Sequence, residues 1–376
     1  MHQPNARVGL TQRGRAGLEC LGTMQKFASG TLRGAARRRF SQDPEGAALD
    51  DAWAASAASA PREALAEMVT TATAIARRCS LFRLERFCQA QVAAGIYELG
   101  IPAIEERRAA FERAAEASDR TSPATLELDP DLAFPAYYTS ADWHLRPGGW
   151  EGYDLYGPLG MHVIPLIFRH GGVAAVPVGG DIARHRSDVV RQLPKDRYER
   201  IYEPGCGGIS TLRAIAGVFP DAELTGSDLS PILLRQGQAA CAATGLRARF
   251  KQRDAATDTR EPDESFDAVV VFAVQHELPL EANRSLFREM FRILRPGGDI
   301  VLSDPPPFRA VPPFHAAILD WDTENRGEPF FSSACLSDWG QELADAGFID
   351  VSAYALGPDC YPWVTLARKA KEAVLF

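Results

Sequence analysis

The chain has 376 residues, 46% of them hydrophobic and 24% charged, with a formal net charge of −8. That length accommodates one large domain or two, and the composition is ordinary for a soluble globular fold. The acidic balance argues against a general nucleic-acid binder, which carries a basic face, and no apolar run approaches the roughly 20 residues needed to cross a bilayer. The seven cysteines are scattered without CxxC spacing. They read as free thiols in a reducing cytoplasm, with no zinc site.

Residues 1–42 are rich in arginine, with Glu19 as the only acid. They read as a basic, disordered tail, with an acid-poor targeting segment as the alternative. Residues 43–60 are rich in Ala, Ser and Asp and read as linker, so 1–60 forms the first expected unit. From Pro61 the pattern turns helical, with Leu65, Met68, Val69 and Ile75 on one face. A second helix is expected over 81–99, ending at Gly100, and a third from Pro102 through Glu116. These helices open an N-terminal region over 61–192 that serves as a substrate cap or a dimerisation element.

Residues 134–168 are aromatic and rich in Gly and Pro, with little periodicity. A long irregular stretch inside a compact domain is often functional. Tyr137, Tyr138, Trp143, Trp150 and Tyr153 are candidate walls of a substrate pocket, with packing as the alternative. Asp142 and His144 form a titratable pair in the same stretch.

From about residue 193 strands and helices alternate. Strands are expected over 200–203, 222–226, 248–252, 266–273, 299–303, 351–356 and 363–367, and helices near 210–218, 231–244, 280–294 and 333–346. Such alternation builds an α/β fold, a parallel sheet covered on both faces.

The stretch Ile201-Tyr-Glu-Pro-Gly-Cys-Gly-Gly-Ile-Ser210 carries the most information. A short apolar strand ends at an acid, Glu203. A glycine turn follows (Gly205, Gly207, Gly208), and then a helix begins. A strand, a Gly-rich turn and a helix N-terminus together suit a nucleotide-like ligand. Asp228 lies 23 residues past Gly205, at the end of the next strand, where an acid can accept hydrogen bonds from a ribose diol.

These segments resemble motifs of the class I S-adenosylmethionine (SAM)-dependent methyltransferases, whose first turn reads Asp/Glu-x-Gly-x-Gly-x-Gly. Glu203, Gly205 and Gly207 match it. Ile209 stands at the third glycine position, with Gly208 one residue early. Arg253-Asp-Ala-Ala256, the strand 266–273 with its exit Gln275-His276-Glu277, Leu294-Arg-Pro-Gly-Gly298 and Ala346-Gly-Phe348 follow in the family's order, over about 175 residues.

The resemblance implies a Rossmann-like, doubly wound seven-stranded sheet of order 3-2-1-4-5-7-6 with the last strand antiparallel, in a SAM-binding unit over 193–376. It implies SAM as cofactor. Glu203 would lie near the methionine end beside Gly205 and Gly207. Asp228 and Leu229 would meet the ribose, and Asp254 and Ala255 the adenine.

On the acceptor side His276 and Glu277 are the candidate catalytic residues, since an imidazole with an ordinary pKa near 6.5 can take a hydroxyl proton. Tyr138, Trp143, His144, Trp150 and Tyr153 are the candidate substrate-binding residues. His315, Trp321 and Phe330, between the fifth and sixth strands, are secondary candidates. Asp304-Pro-Pro-Pro-Phe308 is similar to the Asp-Pro-Pro-Tyr of enzymes that methylate DNA bases. It follows the fifth strand instead of the fourth, so it reads as a rigid loop.

Catechol-type members bind magnesium through an acid cluster, and Asp304 here lacks a following Asn, so no metal is assigned, with Glu277 and Asp304 as the residues that leave one open. The expected activity is methyl transfer to a small organic molecule, O-methylation favoured, by a cytoplasmic protein with no nucleic-acid or membrane partner and a homodimer as one option. Two alternatives are a non-catalytic SAM-fold module and a nicotinamide dehydrogenase. The latter needs a third glycine where Ser210 stands.

Overall fold

A computed structural model describes residues 8–169, 171, 172, 176 and 180–371. Expectations for the other residues lie outside the described set. The chain begins with helices α1 (Gln12–Lys26), α2 (Arg33–Gln42), α3 (Pro44–Ser56), α4 (Arg62–Arg78), α5 (Ser80–Glu105) and α6 (Arg108–Asp119), with a π-helical stretch Phe27–Leu32 joining the first two. Residues 12–56 are therefore helical, against the expectation of a disordered tail and linker. Arg13, Arg15, Arg37, Arg38 and Arg39 line the outside, Arg33 turns in to pair with Glu85, and Leu18, Ala28, Leu32, Ala36 and Phe40 are buried. The apolar residues are too few and too small to stand out in an Arg-rich sequence, but their spacing suffices once α5 supplies a partner surface.

Helix α5 also runs on past its expected end. It continues through Gly100 and Pro102. Gly100 is a packing position instead of a cap: a Cβ there would lie 2.9 Å from Val163 Cγ1.

Strand β1 (Thr125–Glu127) is followed by the aromatic stretch and by α7 (Tyr156–His162), α8 (Ile164–Phe168) and α9 (Ile182–Val190). Next come β2 (Arg200–Pro204), α10 (Ser210–Val218), β3 (Glu223–Asp228), α11 (Pro231–Thr244), β4 (Arg249–Gln252), β5 (Phe266–Phe272), α12 (Leu280–Ile293) and β6 (Leu294–Asp304). The chain closes with α13 (Pro313–Asn325), α14 (Phe331–Cys335), α15 (Trp339–Asp345), β7 (Ile349–Ala355) and β8 (Trp363–Arg368).

The sheet order is β1-β4-β3-β2-β5-β6-β8-β7, and only β8 runs antiparallel to its neighbours. Leaving out β1, this is the expected order. The eighth strand is the correction: Thr125–Glu127 pairs in parallel with β4 and is too short to show an alternation of its own. The expected helix over 333–346 is two helices, because Asp338 caps α15 through the Gln341 N–H.

Apolar alternation fixes the faces of the sheet. Ile201, Val270 and Val301 join the core under α9, α10 and α11. Tyr202, Val269, Val271 and Ile300 point the other way, against Leu286, Phe287 and Met290 of α12 and Leu343 of α15. Phe287 is fully buried, its ring edge-on to Trp339. Phe287→Ala is expected to cost about 3–5 kcal/mol, read as a lowered denaturation midpoint with unchanged slope.

The N-terminal helices pack at the carboxyl end of the sheet. Leu65 and Val69 of α4 meet Ala316 and Leu319 of α13. Leu18, Val92 and Ile96 meet Tyr153, Leu155 and Leu159 from the aromatic stretch and α7.

Candidate cofactor and acceptor site

The turn after β2 is shaped by two glycines. Gly205 has φ +62°, and a Cβ there would sit 2.8 Å from Val274. Gly207 has φ +55°, and its N–H donates to Asp228 Oδ2 at 2.8 Å. Open space lies where side chains at Gly207 and Gly208 would stand. Backbone there faces open space, so a ligand can come close to it.

Three acids stand at the ends of three neighbouring strands around this turn. Glu203 closes β2, is 2% exposed, and has an Oε2 with no partner among the described residues. Burial pushes its carboxyl up to about 8, opposed in part by the Thr211 hydroxyl and the Arg186 guanidinium. Asp228 closes β3; loss of water raises it to about 6, against the N–H groups of Ser230 and Gly207. Its Oδ1 accepts from Ser230 N–H at 2.9 Å. Asp254, just after β4, accepts from the Ala256 N–H at 3.0 Å. Leu229 and Ala255 sit partly exposed beside these acids.

Arg186 of α9 escaped the sequence reading. Its Nε donates to Thr211 Oγ1 at 3.1 Å, its guanidinium lies 4.6 Å from the Phe272 ring centre, and the Glu203 charge acts on it. Nothing local distinguishes it from Arg184 in the same helix.

The aromatic stretch closes over this half of the site. Tyr137 feels the charge of Asp254, and its buried hydroxyl has no partner among the described residues. The Tyr138 hydroxyl donates to Glu151 Oε1 at 2.8 Å and lies near Asp228 and Ser230. Burial pushes both phenols up. Trp143 is 1% exposed and donates its indole N–H to the Tyr138 carbonyl at 2.7 Å, which fixes the stretch from within. Tyr153 lies in the helical core with its hydroxyl on Glu105. Trp150 meets the His144 ring edge-on, 5.2 Å away.

A second polar cluster lies at the exits of β5 and β6. His276 Nδ1 is 2.7 Å from Asp304 Oδ1, and its Nε2 is 3.5 Å from Glu277 Oε1. His144 reaches the same Glu277 oxygen with Nε2 at 3.0 Å and Glu328 Oε1 with Nδ1 at 2.5 Å. Burial lowers His276, but the charge and hydrogen bond of Asp304 together with the Glu277 and Glu328 charges outweigh it and hold the ring at about 9. Burial also opposes protonation of His144, which the Glu328 and Glu277 charges hold well above the ordinary histidine range.

Glu328 was not singled out in the sequence. It sits in an irregular turn between α13 and α14, where periodicity is silent. His144 holds φ +56°, a backbone choice the sequence does not reveal. Among the secondary candidates, Phe330 packs against Trp143 and Tyr137. Trp321 stacks on Arg86. His315 is pushed down to about 4 by burial and by the charges of Arg33, Arg37 and Arg86.

A Gly-rich turn after β2, acids at the end of β3 and just past β4, and an antiparallel last strand define a Rossmann-like fold of the methyltransferase kind. Residues 201–298 match the family described as "Methyltransferase domain". Over those residues the chain is similar to a methyltransferase domain, which supports the resemblance to the class I SAM-dependent methyltransferases.

It is 33% identical over 122 residues to a trans-aconitate 2-methyltransferase of Methylobacterium radiotolerans, covering 32% of this chain and 44% of that one. It is 28% identical over 155 residues to phosphoethanolamine N-methyltransferase 1 of Arabidopsis thaliana, covering 41% of this chain and 30% of that one. The chain thus spans less than half the length of these relatives. A solved structure of Haemonchus contortus phosphoethanolamine N-methyltransferase 2 with SAM covers 51% of this chain and 53% of its own, at 15% identity and a TM-score of 0.38. No helix among the described residues is long and apolar enough to cross a membrane.

Proposed function

We propose that this chain binds SAM and transfers its methyl group to a small organic acceptor, with a hydroxyl oxygen as the acceptor atom. The observation that carries the reading is the placement of Glu203, Asp228 and Asp254 on adjacent strand ends around an open glycine turn. Asp228 would accept from the ribose hydroxyls and Asp254 from the adenine amino group. The methionine end is a zwitterion: Glu203 suits its ammonium and Arg186 its carboxylate. Tyr137 and Tyr138 then cover the adenosyl part and exclude water.

The acceptor oxygen attacks the methyl carbon in line. A new O–C bond forms as the S–C bond breaks, and S-adenosylhomocysteine leaves with the sulfur electron pair. The acceptor proton passes to Glu277, because His276 already carries a proton at neutral pH; the unpartnered Glu277 Oε2 favours a hydroxyl over an anionic acceptor. Holding the reacting atoms in line supplies much of the rate. Incubating the purified chain with SAM and panels of hydroxyl-, amine- and carboxylate-bearing small molecules tests this. Gain of one methyl by a hydroxyl compound supports the proposal, and methylation confined to amines or carboxylates overturns the choice of acceptor.

The proposed Glu203 role makes binding pH-dependent. With its carboxyl near 8, the free protein carries a proton there at neutral pH, and pairing with an ammonium requires its release. SAM affinity is expected to rise with pH by up to about tenfold per unit below 8. It levels off where the cofactor's own amino group, in the usual range of about 7.7–8.0, deprotonates. Glu203→Gln should flatten the profile, measured by calorimetry across pH 6–8.5.

The exposed Phe27, Leu84 and Phe87 on neighbouring N-terminal helical segments support self-association as a second role of this region.

A further inference from the structure

We propose that His144 is a positioning residue for methyl transfer: its imidazolium bridges Glu277 and Glu328, holds one oxygen of Glu277 and leaves the other to take the acceptor proton. The inference rests on the reading of Glu277 as the proton acceptor. It extends that reading from one carboxylate to an ordered set of three side chains.

Glu277 enters the corner on the short turn after β5. Its Oε1 is 3.0 Å from His144 Nε2 and 3.5 Å from His276 Nε2, while its Oε2 has no partner among the described residues. The second separation is too long for a useful hydrogen bond, so His144 is the nearer group and the one that restrains the carboxylate. The far side of the ring is held in turn, with His144 Nδ1 2.5 Å from Glu328 Oε1. A proton acceptor held by a second group, itself oriented by a third, keeps a productive geometry without ordering at the moment of reaction.

The bridge requires the charged form of the ring. A neutral imidazole has a single N–H, whereas a carboxylate on each nitrogen calls for two. The Glu328 and Glu277 charges hold His144 well above the ordinary histidine range, against the effect of burial. The other titratable or charged groups near the ring are Tyr97 of α5 and Arg146, with His276 and Asp304 beyond Glu277. Burial keeps the Tyr97 phenol neutral, and Arg146 is cationic, so the two glutamates set the charge of His144.

The backbone that presents His144 is an independent observation. His144 and Leu145 hold φ +56° and +62° in succession, a left-handed conformation that residues with side chains disfavour. The neighbouring turn holds it there. The His144 N–H donates to the Gly327 carbonyl at 3.2 Å, and the Leu145 N–H to the Asp142 carbonyl at 2.8 Å. Gly327 itself has φ +65°, and a Cβ on it would collide with the Asp142 carbonyl and stand 3.0 Å from the Leu145 nitrogen. Two loops are thus pressed backbone to backbone, and the product is that His144 and Glu328, one residue past Gly327, lie in one corner with Glu277. Strain that the surroundings impose in this way clusters at functional sites.

The first arm of the test reads the ring itself in the full chain. Imidazole resonances of histidine-labelled protein are followed by NMR across the neutral pH range. Those of His144 are assigned by their loss in His144→Asn, since asparagine also tolerates the left-handed backbone. His144 is expected to keep both ring protons throughout that range, and its midpoint should fall toward the ordinary value of about 6.5 in Glu277→Gln and in Glu328→Gln. An ordinary midpoint in the wild type, or one that neither variant moves, would overturn the bridge.

The second arm is kinetic, with SAM and a hydroxyl compound that the wild type methylates. His144→Asn should lower kcat by about 100-fold, with KM for that compound and SAM affinity within about twofold of wild type. Because His144 acts through Glu277, the same substitution should cost nothing further in Glu277→Gln. An equal loss in both backgrounds, or a raised KM with kcat unchanged, would overturn the positioning role. An unaffected His144→Asn variant overturns that role alone, whereas a wild type that methylates no hydroxyl compound overturns the proposed function and this role with it.

Discussion

Asp228→Ala is expected to weaken SAM binding by about 100-fold or more. In the proposed site the carboxylate would accept from the ribose diol, and it ties down Gly207 and Ser230 through their N–H groups at 2.8 and 2.9 Å. Hydrogen bonds to a charged group contribute about 1.5–3 kcal/mol each, and about 2.7 kcal/mol corresponds to 100-fold in affinity. The variant loses the ligand contacts and also the tether that holds the glycine turn. Asp228→Asn keeps the shape but turns an NH₂ toward one of two backbone donors, so it should fall between wild type and alanine. An alanine variant that binds SAM within threefold of wild type would remove Asp228 from the site.

Arg186→Ala is expected to weaken SAM binding by about 10–100-fold, from the loss of one charge-assisted contact of about 1.5–3 kcal/mol. Binding of 5′-methylthioadenosine, which has the adenosine but no amino-acid end, should stay within about twofold. The contrast distinguishes a carboxylate contact from a packing role, because collapse of α9 against α10 would weaken both ligands alike. Lysine keeps the charge but not the planar fork and loses the stacking on Phe272, so Arg186→Lys should recover only part of the affinity.

The sheet was legible where local chemistry and tertiary need coincide. β5 reads as a continuous apolar run because both its faces are covered, with Val269, Val270 and Val271 fully buried. Helix α11 has the expected bounds because its ends carry their own signals. Ser230 caps its first turn, Pro231 opens it, and Gly245 at φ +69° ends it. The acids proposed to hold the cofactor stood out for the same reason: Glu203 and Asp228 lie at the ends of recognisable strands and Asp254 just past one.

Elsewhere the signals were weak or conflicting. In α1 and α2, basic residues outnumber the small apolar ones that pack. Pro102 suggested a boundary that α5 overrides through its contact with α7 and α8. The acceptor cluster needs an exit loop, a proline-rich turn, the aromatic stretch and the turn before α14 to converge. No single segment encodes that, so His276 and Glu277 were identified while Glu328 was missed. Arg186 was missed because only the fold reveals which arginine of α9 faces Glu203.

The most direct test of the central claim is calorimetric titration of the purified chain with SAM and with S-adenosylhomocysteine, beside Asp228→Ala. Saturable binding of both by the wild type, lost in the variant, is the predicted result. No binding of either by the wild type, or equal binding by the variant, would contradict the cofactor site described above.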